Sequence, residues 1–143
     1  MYVVQEDCQA FAGKLGIKLG FSVLLLNAPD VFSKALKDSN PPSAQIYESL
    51  RHENKPDVVL WWPLDDVHVK ENVKSLRHHI KEDGVLWVVI PKKPAAKIRG
   101  VNLNYTDVVA EALKTGLVDN KTLTFSPEEY GIRFVVRLSE RSF

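Results

Sequence analysis

Three short segments bring polar chemistry to places where hydrophobic strands end. Ser22–Leu26 runs into Asn27-Ala28-Pro29-Asp30, Asp57–Trp62 into Pro63-Leu64, and Val85–Ile90 into Pro91-Lys92-Lys93. In an open α/β sheet, ligands bind outside the carboxyl ends of the strands, where the strand order reverses. The rim so defined holds the Asn27 amide, the Ala28-Pro29 bend, the Asp30 carboxylate, the Trp62 indole, Pro63, and the Lys92 and Lys93 ammonium groups. Such a set suits an anionic or planar ligand, with a lysine neutralising charge and Trp62 stacking on a ring. Each residue also has a plainer use. Asp30 serves well as a helix cap, the prolines end strands, and the lysines can be solvated charges. Trp61 and Trp62 alternate in direction, so one of them belongs to the core and only the other can meet a ligand.

Other chemistries find less support. His78 and His79 are helix neighbours about 100° apart, without the i, i+4 spacing that shared metal ligation on a helix needs. His52 and His68 show no Cys or acid at ligand spacing, so no metal site is expected. Cys8 falls on the apolar face of its helix, which suits an inert buried thiol. No Gly-x-Ser-x-Gly turn and no P-loop occurs.

The elements that position these residues follow from periodicity. Val4, Cys8, Phe11 and Leu15 are spaced as one helix face, ending near Gly13–Gly16. Phe21–Leu26 is a strand, Val31–Leu36 a short helix capped by Asp30, and Ala44–Tyr47 a brief strand at most. Arg51–Pro56 is polar and expected to be exposed. Asp57–Trp62 and Val85–Ile90 are continuous apolar strands, and between them Asp65 caps a helix with Val69, Val73, Leu76 and Ile80 inward. Strands apolar on both faces, alternating with amphipathic helices, indicate a parallel sheet covered on both sides. A further helix over about Asp107–Thr115 turns Val108, Val109, Ala112 and Leu113 inward, with Asn104 or Thr106 as cap and Gly116 beyond its end. Lys121–Phe125 and Ile132–Leu138 then alternate as an antiparallel hairpin, with Leu123, Phe125, Ile132, Phe134, Val136 and Leu138 on one side.

Composition narrows the class. The chain has 143 residues with 45% hydrophobic content, which fits one domain, 1–143, with a substantial core. A formal net charge of +1 gives no global attraction to nucleic acid or to anionic membrane. Locally, though, Lys92, Lys93, Lys97 and Arg99 form a basic stretch without an acid. One cysteine precludes an internal disulfide and fits a reducing compartment. The start of the chain lacks a signal-peptide layout and the apolar runs are strand-length, so a cytoplasmic protein without a membrane span is expected.

Several segments resemble class I S-adenosylmethionine-dependent methyltransferases. Lys55-Pro56-Asp57-Val58-Val59-Leu60 is similar to their strand-opening aromatic-Asp-Val-Val. Ile80 to Val89 is similar to Leu-Lys-Pro-Gly-Gly-x-Leu-Val-Val, and the terminal hairpin resembles that fold's edge. From Leu15-Gly16-Ile17-Lys18 to Gly131-Ile132-Arg133-Phe134 the chain resembles a small bacterial family of uncharacterised methyltransferase-like domains. The resemblance implies an α/β, three-layer, truncated Rossmann-like mixed sheet with an antiparallel C-terminal edge hairpin.

Departures from the enzyme pattern fall at the cofactor. The enzymes carry an acid-x-Gly-x-Gly turn after the first strand, where this chain has Asn27-Ala28-Pro29-Asp30. For the acid that would hold ribose hydroxyls after the second strand, Glu48 is the candidate; the interval from the first strand to Asp57 is about one βα unit short. Trp61-Trp62-Pro63-Leu64 stands where amino-methylating members place Asn/Asp-Pro-Pro-aromatic. The expectation is therefore a non-catalytic domain binding a small anionic molecule or a protein partner at the strand ends. The alternative is a methyltransferase with an atypical S-adenosylmethionine loop, in which Asp30 or Glu48 contacts the nucleoside. A nucleic-acid accessory is disfavoured by the net charge, and an exposed tryptophan with a short second strand leaves room for a homodimer.

Overall fold

The computed structural model describes residues 8–18, 20–38, 44–48 and 55–140. The dominant constraint comes from β3 (Val58–Trp61) and β4 (Val85–Pro91), in which every residue is buried. Strands of this kind must be covered on both faces, and the chain provides a layer of helices for each. β1 (Ser22–Leu26), β3 and β4 are parallel, β2 (Gln45–Tyr47) runs parallel to β1 at one edge, and β5 (Leu117–Thr124) and β6 (Glu129–Val136) close the other. The strand order is β2-β1-β3-β4-β6-β5, with β6 antiparallel to both β4 and β5.

Alternating side chains divide the interior into two cores. Val23, Leu25, Val58, Leu60, Trp62, Trp87 and Val89 face α1 (Cys8–Leu15) and α2 (Asp30–Asp38), which contribute Ala12, Leu15, Phe32 and Leu36. Leu24, Val59, Trp61, Leu86, Val88 and Ile90 face α3 (Asp66–His79) and α5 (Tyr105–Leu113). The α3 face is Val69, Val73, Leu76 and Ile80, as the periodicity requires, with Asp65 as cap accepting from His68 N at 3.0 Å. Asn104 caps α5 by accepting from Asp107 N at 2.9 Å. The base of the parallel sheet is tied at Asp57, whose carboxylate accepts from Ser22 N at 2.8 Å and Lys81 Nζ at 2.7 Å. Trp87 Nε1 donates to Leu15 O at 3.0 Å, fixing the end of α1 over the sheet.

Several expectations need correction. Asp30 is the first residue of α2 rather than its preceding cap; its carboxylate still complements the positive end of the helix. Pro56 is buried just ahead of β3, where its carbonyl accepts from Lys81 N, while Arg51–Asn54 lie outside the described residues. Leu113 is substantially exposed at the end of α5, and Leu138 projects from a short 3-10 turn beyond β6. Leu123 and Phe125 do not share a face with Ile132, Phe134 and Val136. Leu123 pairs with Gly131 and packs in the α1/α2 core, whereas Ile132 and its neighbours pack under α3 and α5. Val4 and the Cys8 side chain fall outside the described residues. The stretch after β4, for which the sequence pattern predicts no element, forms α4 (Lys93–Arg99). β5 also carries an extra residue, Asn120, between Asp119 and Lys121.

Gly131 shows why this hairpin packs as it does. Phe125 and Trp87 meet at 5.9 Å between centroids, and Phe125 also stacks on Phe32 at 5.7 Å. A Cβ on Gly131 would come within 2.5 Å of Phe125 Cε1 and 3.0 Å of Trp87 Cε3, both on fully buried rings. Gly131→Ala is therefore expected to lower unfolding free energy by about 1–3 kcal/mol through overpacking. Urea denaturation checks this, and a change below about 0.5 kcal/mol would mean that the aromatic cluster yields freely.

Candidate functional site

The strand order reverses between β1 and β3, with β2 to one side and β4 to the other. The turns leaving β1 and β3 therefore diverge, and α2 and α3 depart to opposite faces. At this point Asn27 has φ 58°, the left-handed conformation that glycine adopts freely. Asparagine is among the few side-chain-bearing residues that tolerate it. Its Nδ2 donates to Trp62 O at 2.8 Å, and Trp62 N donates to Leu26 O at 3.0 Å. The two turns are thus stitched together, and the Asn27 amide occupies the gap between them.

Above this stitch lies a depression of about 290 Å³. Asn27, Pro29, Trp62 and Pro63 line it, joined by Leu64, Pro91, Arg99 and Glu129. The other expected rim residues are elsewhere. Ala28 packs partly buried against the α1/α2 core, Asp30 is exposed at the start of α2, and Lys93 is exposed at the start of α4. Lys92 lines a neighbouring groove of about 240 Å³ rather than the depression.

The cation inside the depression is Arg99, and it is already engaged. Its Nη1 donates to Glu129 Oε2 and its Nη2 to Glu128 Oε2, both at 2.9 Å. These bonds, Glu129's foremost, hold the guanidinium pKa above its ordinary value. Arg99 and Glu129 were not singled out as site residues in the sequence. Arg99 belonged to the basic stretch, but only the helix brings it to the site. Pro94 at the start and Gly100 at φ 70° past the end frame α4, a sequence signature for so short a helix.

Both Trp61 and Trp62 are buried, at 6% and 5% exposure, because they face opposite cores. The Trp62 ring makes T-shaped contacts with Phe32 at 4.9 Å and Phe125 at 5.8 Å, and its burial leaves no open face for a ligand to stack on. With Trp87 fully buried, all three tryptophans are internal, which removes the exposed indole from the argument for a dimer. Trp62 Nε1 is buried with no hydrogen-bond partner among the described residues, a cost of about 1–3 kcal/mol.

The residues present fit an adenosyl cofactor poorly. The backbone that would approach it carries the Asn27 side chain, and Pro29 has no N–H to donate. Glu48 follows β2 directly, but its carboxylate pairs with Lys37 Nζ at 3.1 Å. Asp65 is likewise engaged. It accepts from the backbone N–H of His68 and contacts His68 Nδ1 at 3.0 Å, so His68 does have an acid neighbour. The His68 N–H, then the ring, hold the Asp65 carboxyl below the ordinary carboxylate value. That capping contribution is present at neutral pH and is lost as pH falls through the lowered value. No group of three or more His, Cys, Asp or Glu side chains able to hold a metal occurs among the described residues. No described helix is long and apolar enough to cross a membrane.

A sequence profile of proteins of unknown function matches residues 30–138. The chain belongs to the DUF3052 family. No curated protein sequence matches it. Solved structures show what this DUF3052 member resembles in fold. The PH0226 protein from Pyrococcus horikoshii OT3 superposes with a TM-score of 0.64 at 10% identity, over 94% of this chain and 89% of that one. A TehB-like SAM-dependent methyltransferase from Corynebacterium glutamicum gives 0.55 at 12%, over 90% and 87%. A chain from the complex containing the Haloferax volcanii Trm112 methyltransferase activator gives 0.65 at 7%, over 94% and 90%. The fold is that of class I methyltransferases, with the mixed sheet and antiparallel C-terminal strands.

Asn27→Ala loses both the bond to Trp62 O and tolerance of the left-handed backbone, whereas Asn27→Gly loses only the bond. The expected destabilisation is about 1–3 kcal/mol for alanine, exceeding that for glycine by about 1 kcal/mol. Chemical denaturation of both variants checks this; equal losses would mean that the backbone conformation contributes nothing.

Proposed function

We propose that this DUF3052 member is a methyltransferase-like binding domain without methyl-transfer activity. In this proposal the strand-end depression takes a small, uncharged ligand with an apolar body. The observation that carries it is the Asn27 Nδ2–Trp62 O bond at 2.8 Å, which holds a side chain, rather than bare backbone, at the switch-point crevice. Methyl transfer requires the donor held in a fixed attack geometry, and a crowded crevice with Pro29 beside it opposes that. The depression's apolar walls, including Pro29, Pro63, Leu64 and Pro91, favour an apolar body. Its one cation is neutralised by two carboxylates, which argues against an anion there. The unpartnered Trp62 N–H supports a ligand that carries a hydrogen-bond acceptor.

The second reading, a methyltransferase with an atypical cofactor loop, draws on Glu48 standing directly after β2. Its pair with Lys37 is about half exposed on both sides, and such pairs are worth little and break readily. One calorimetric titration separates the two. S-adenosylmethionine is expected to give no saturable heat below about 1 mM, and no labelled methyl group should reach protein or small-molecule acceptors. Micromolar, stoichiometric cofactor binding would establish the enzyme instead. Neutral heteroaromatic fragments, followed by NMR, are expected to shift the Trp62 indole N–H resonance. A full fragment screen that leaves that resonance unmoved would remove the depression as a ligand site.

A further inference from the structure

On the far side of the Arg99–glutamate bridge from the depression lies the groove of about 240 Å³. Lys92, Pro94 and Ile98 form its α4 wall, and Pro127 and Glu128 form the wall given by the β5–β6 turn. We propose that this groove docks an acidic segment of a partner protein, with an apolar side chain seated between the walls and carboxylates meeting the lysines. The inference stands independently of any ligand in the depression.

Ile98 is 87% exposed, more than any other large hydrophobic among the described residues. A single exposed apolar residue needs no explanation. This one borders a concave, proline-walled groove, where a partner's side chain could cover it. The charge around it is concentrated. Between Lys92 and Arg99 there are four cations and no acid, in a chain whose net charge is only +1. Arg99 is committed to Glu128 and Glu129, whereas Lys92, Lys93 and Lys97 enter no ion pair among the described residues. The complementary surface is thus acidic, with an apolar anchor.

The shape of the groove favours a protein segment over a phosphate-bearing partner: its proline-flanked concavity suits a single side chain rather than a flat membrane surface, and its lining lacks an aromatic on which a nucleic-acid base could stack. The walls are fixed in advance: Arg99 ties α4 to the turn, Lys92 N donates to Glu128 O at 2.8 Å, and both proline rings are rigid. A preformed groove spares the partner the cost of ordering it.

The test pans the intact chain against a phage library of short random peptides. Enriched sequences are expected to carry Asp or Glu flanking a single large apolar residue. A synthetic peptide of that sequence, followed by fluorescence anisotropy, should bind the wild type. Ile98→Asp and the double variant Lys92→Glu, Lys97→Glu should each weaken it by about tenfold or more. Because Ile98 and Lys97 are exposed and Lys92 is only partly buried, both variants should keep the wild-type melting temperature. No enrichment, enrichment of sequences without acids, or unchanged affinity in both variants would each overturn the proposal. Co-sedimentation with phosphatidylserine vesicles that Ile98→Asp abolishes would overturn it in favour of a lipid surface. Self-association that the same substitution disperses would overturn it in favour of a second copy.

Discussion

Complete burial of β3 and β4 dictates the rest of the architecture. A strand with no solvent-facing residue has no polar side on which to end a sheet, so both faces need helices and both flanks need strands. α1 and α2 meet one requirement, α3 and α5 the other, while β1 and β6 cover the flanks. The reversal of strand order between β1 and β3 goes with this layering: right-handed crossovers that run one way along the sheet stay on one face, so covering the second face needs a crossover in the other direction. The depression opens at that reversal because the two turns leave in opposite directions.

The reversal also fixes the backbone of the turn after β1. A left-handed residue is required after β1, and the chain supplies it with asparagine rather than glycine. The backbone shape survives, while the space that a missing Cβ would leave is taken by an amide bonded to Trp62 O. The fold and the cofactor site are therefore separable properties. Hydrophobic periodicity secures the first, and a few unencumbered backbone positions are needed for the second.

The fold was largely legible in the sequence because its signals are local. Continuous apolar runs marked β3 and β4, the Val69–Ile80 spacing marked α3, and the alternation after Lys121 marked the terminal strands. The site was legible only in part. Asn27, Pro29, Trp62 and Pro63 follow from strand ends, which sequence can locate. Arg99 and Glu129 come together across the sheet, through a helix of under two turns and a strand that inserts between two others, and periodicity carries no information about such a meeting. The two faces of the terminal hairpin were also misassigned. Leu123 and Ile132 look equivalent in an alternating pattern, but the pairing of Leu123 with Gly131 sends them to opposite cores. Burial of both Trp61 and Trp62 was missed for a related reason: alternation says they point apart, and only the second helical layer makes both directions internal.

The irregularity in β5 bears on the exposed border of the sheet. An outermost strand with free amides and carbonyls invites a neighbour to zip onto it, and eight residues would give that zipper ample length. Asn120, inserted out of step between Asp119 and Lys121, breaks the ladder halfway and places charged side chains on either side of the interruption. Amyloid-like stacking along this border is thereby frustrated, at the expense of regular pairing with β6 over a single position.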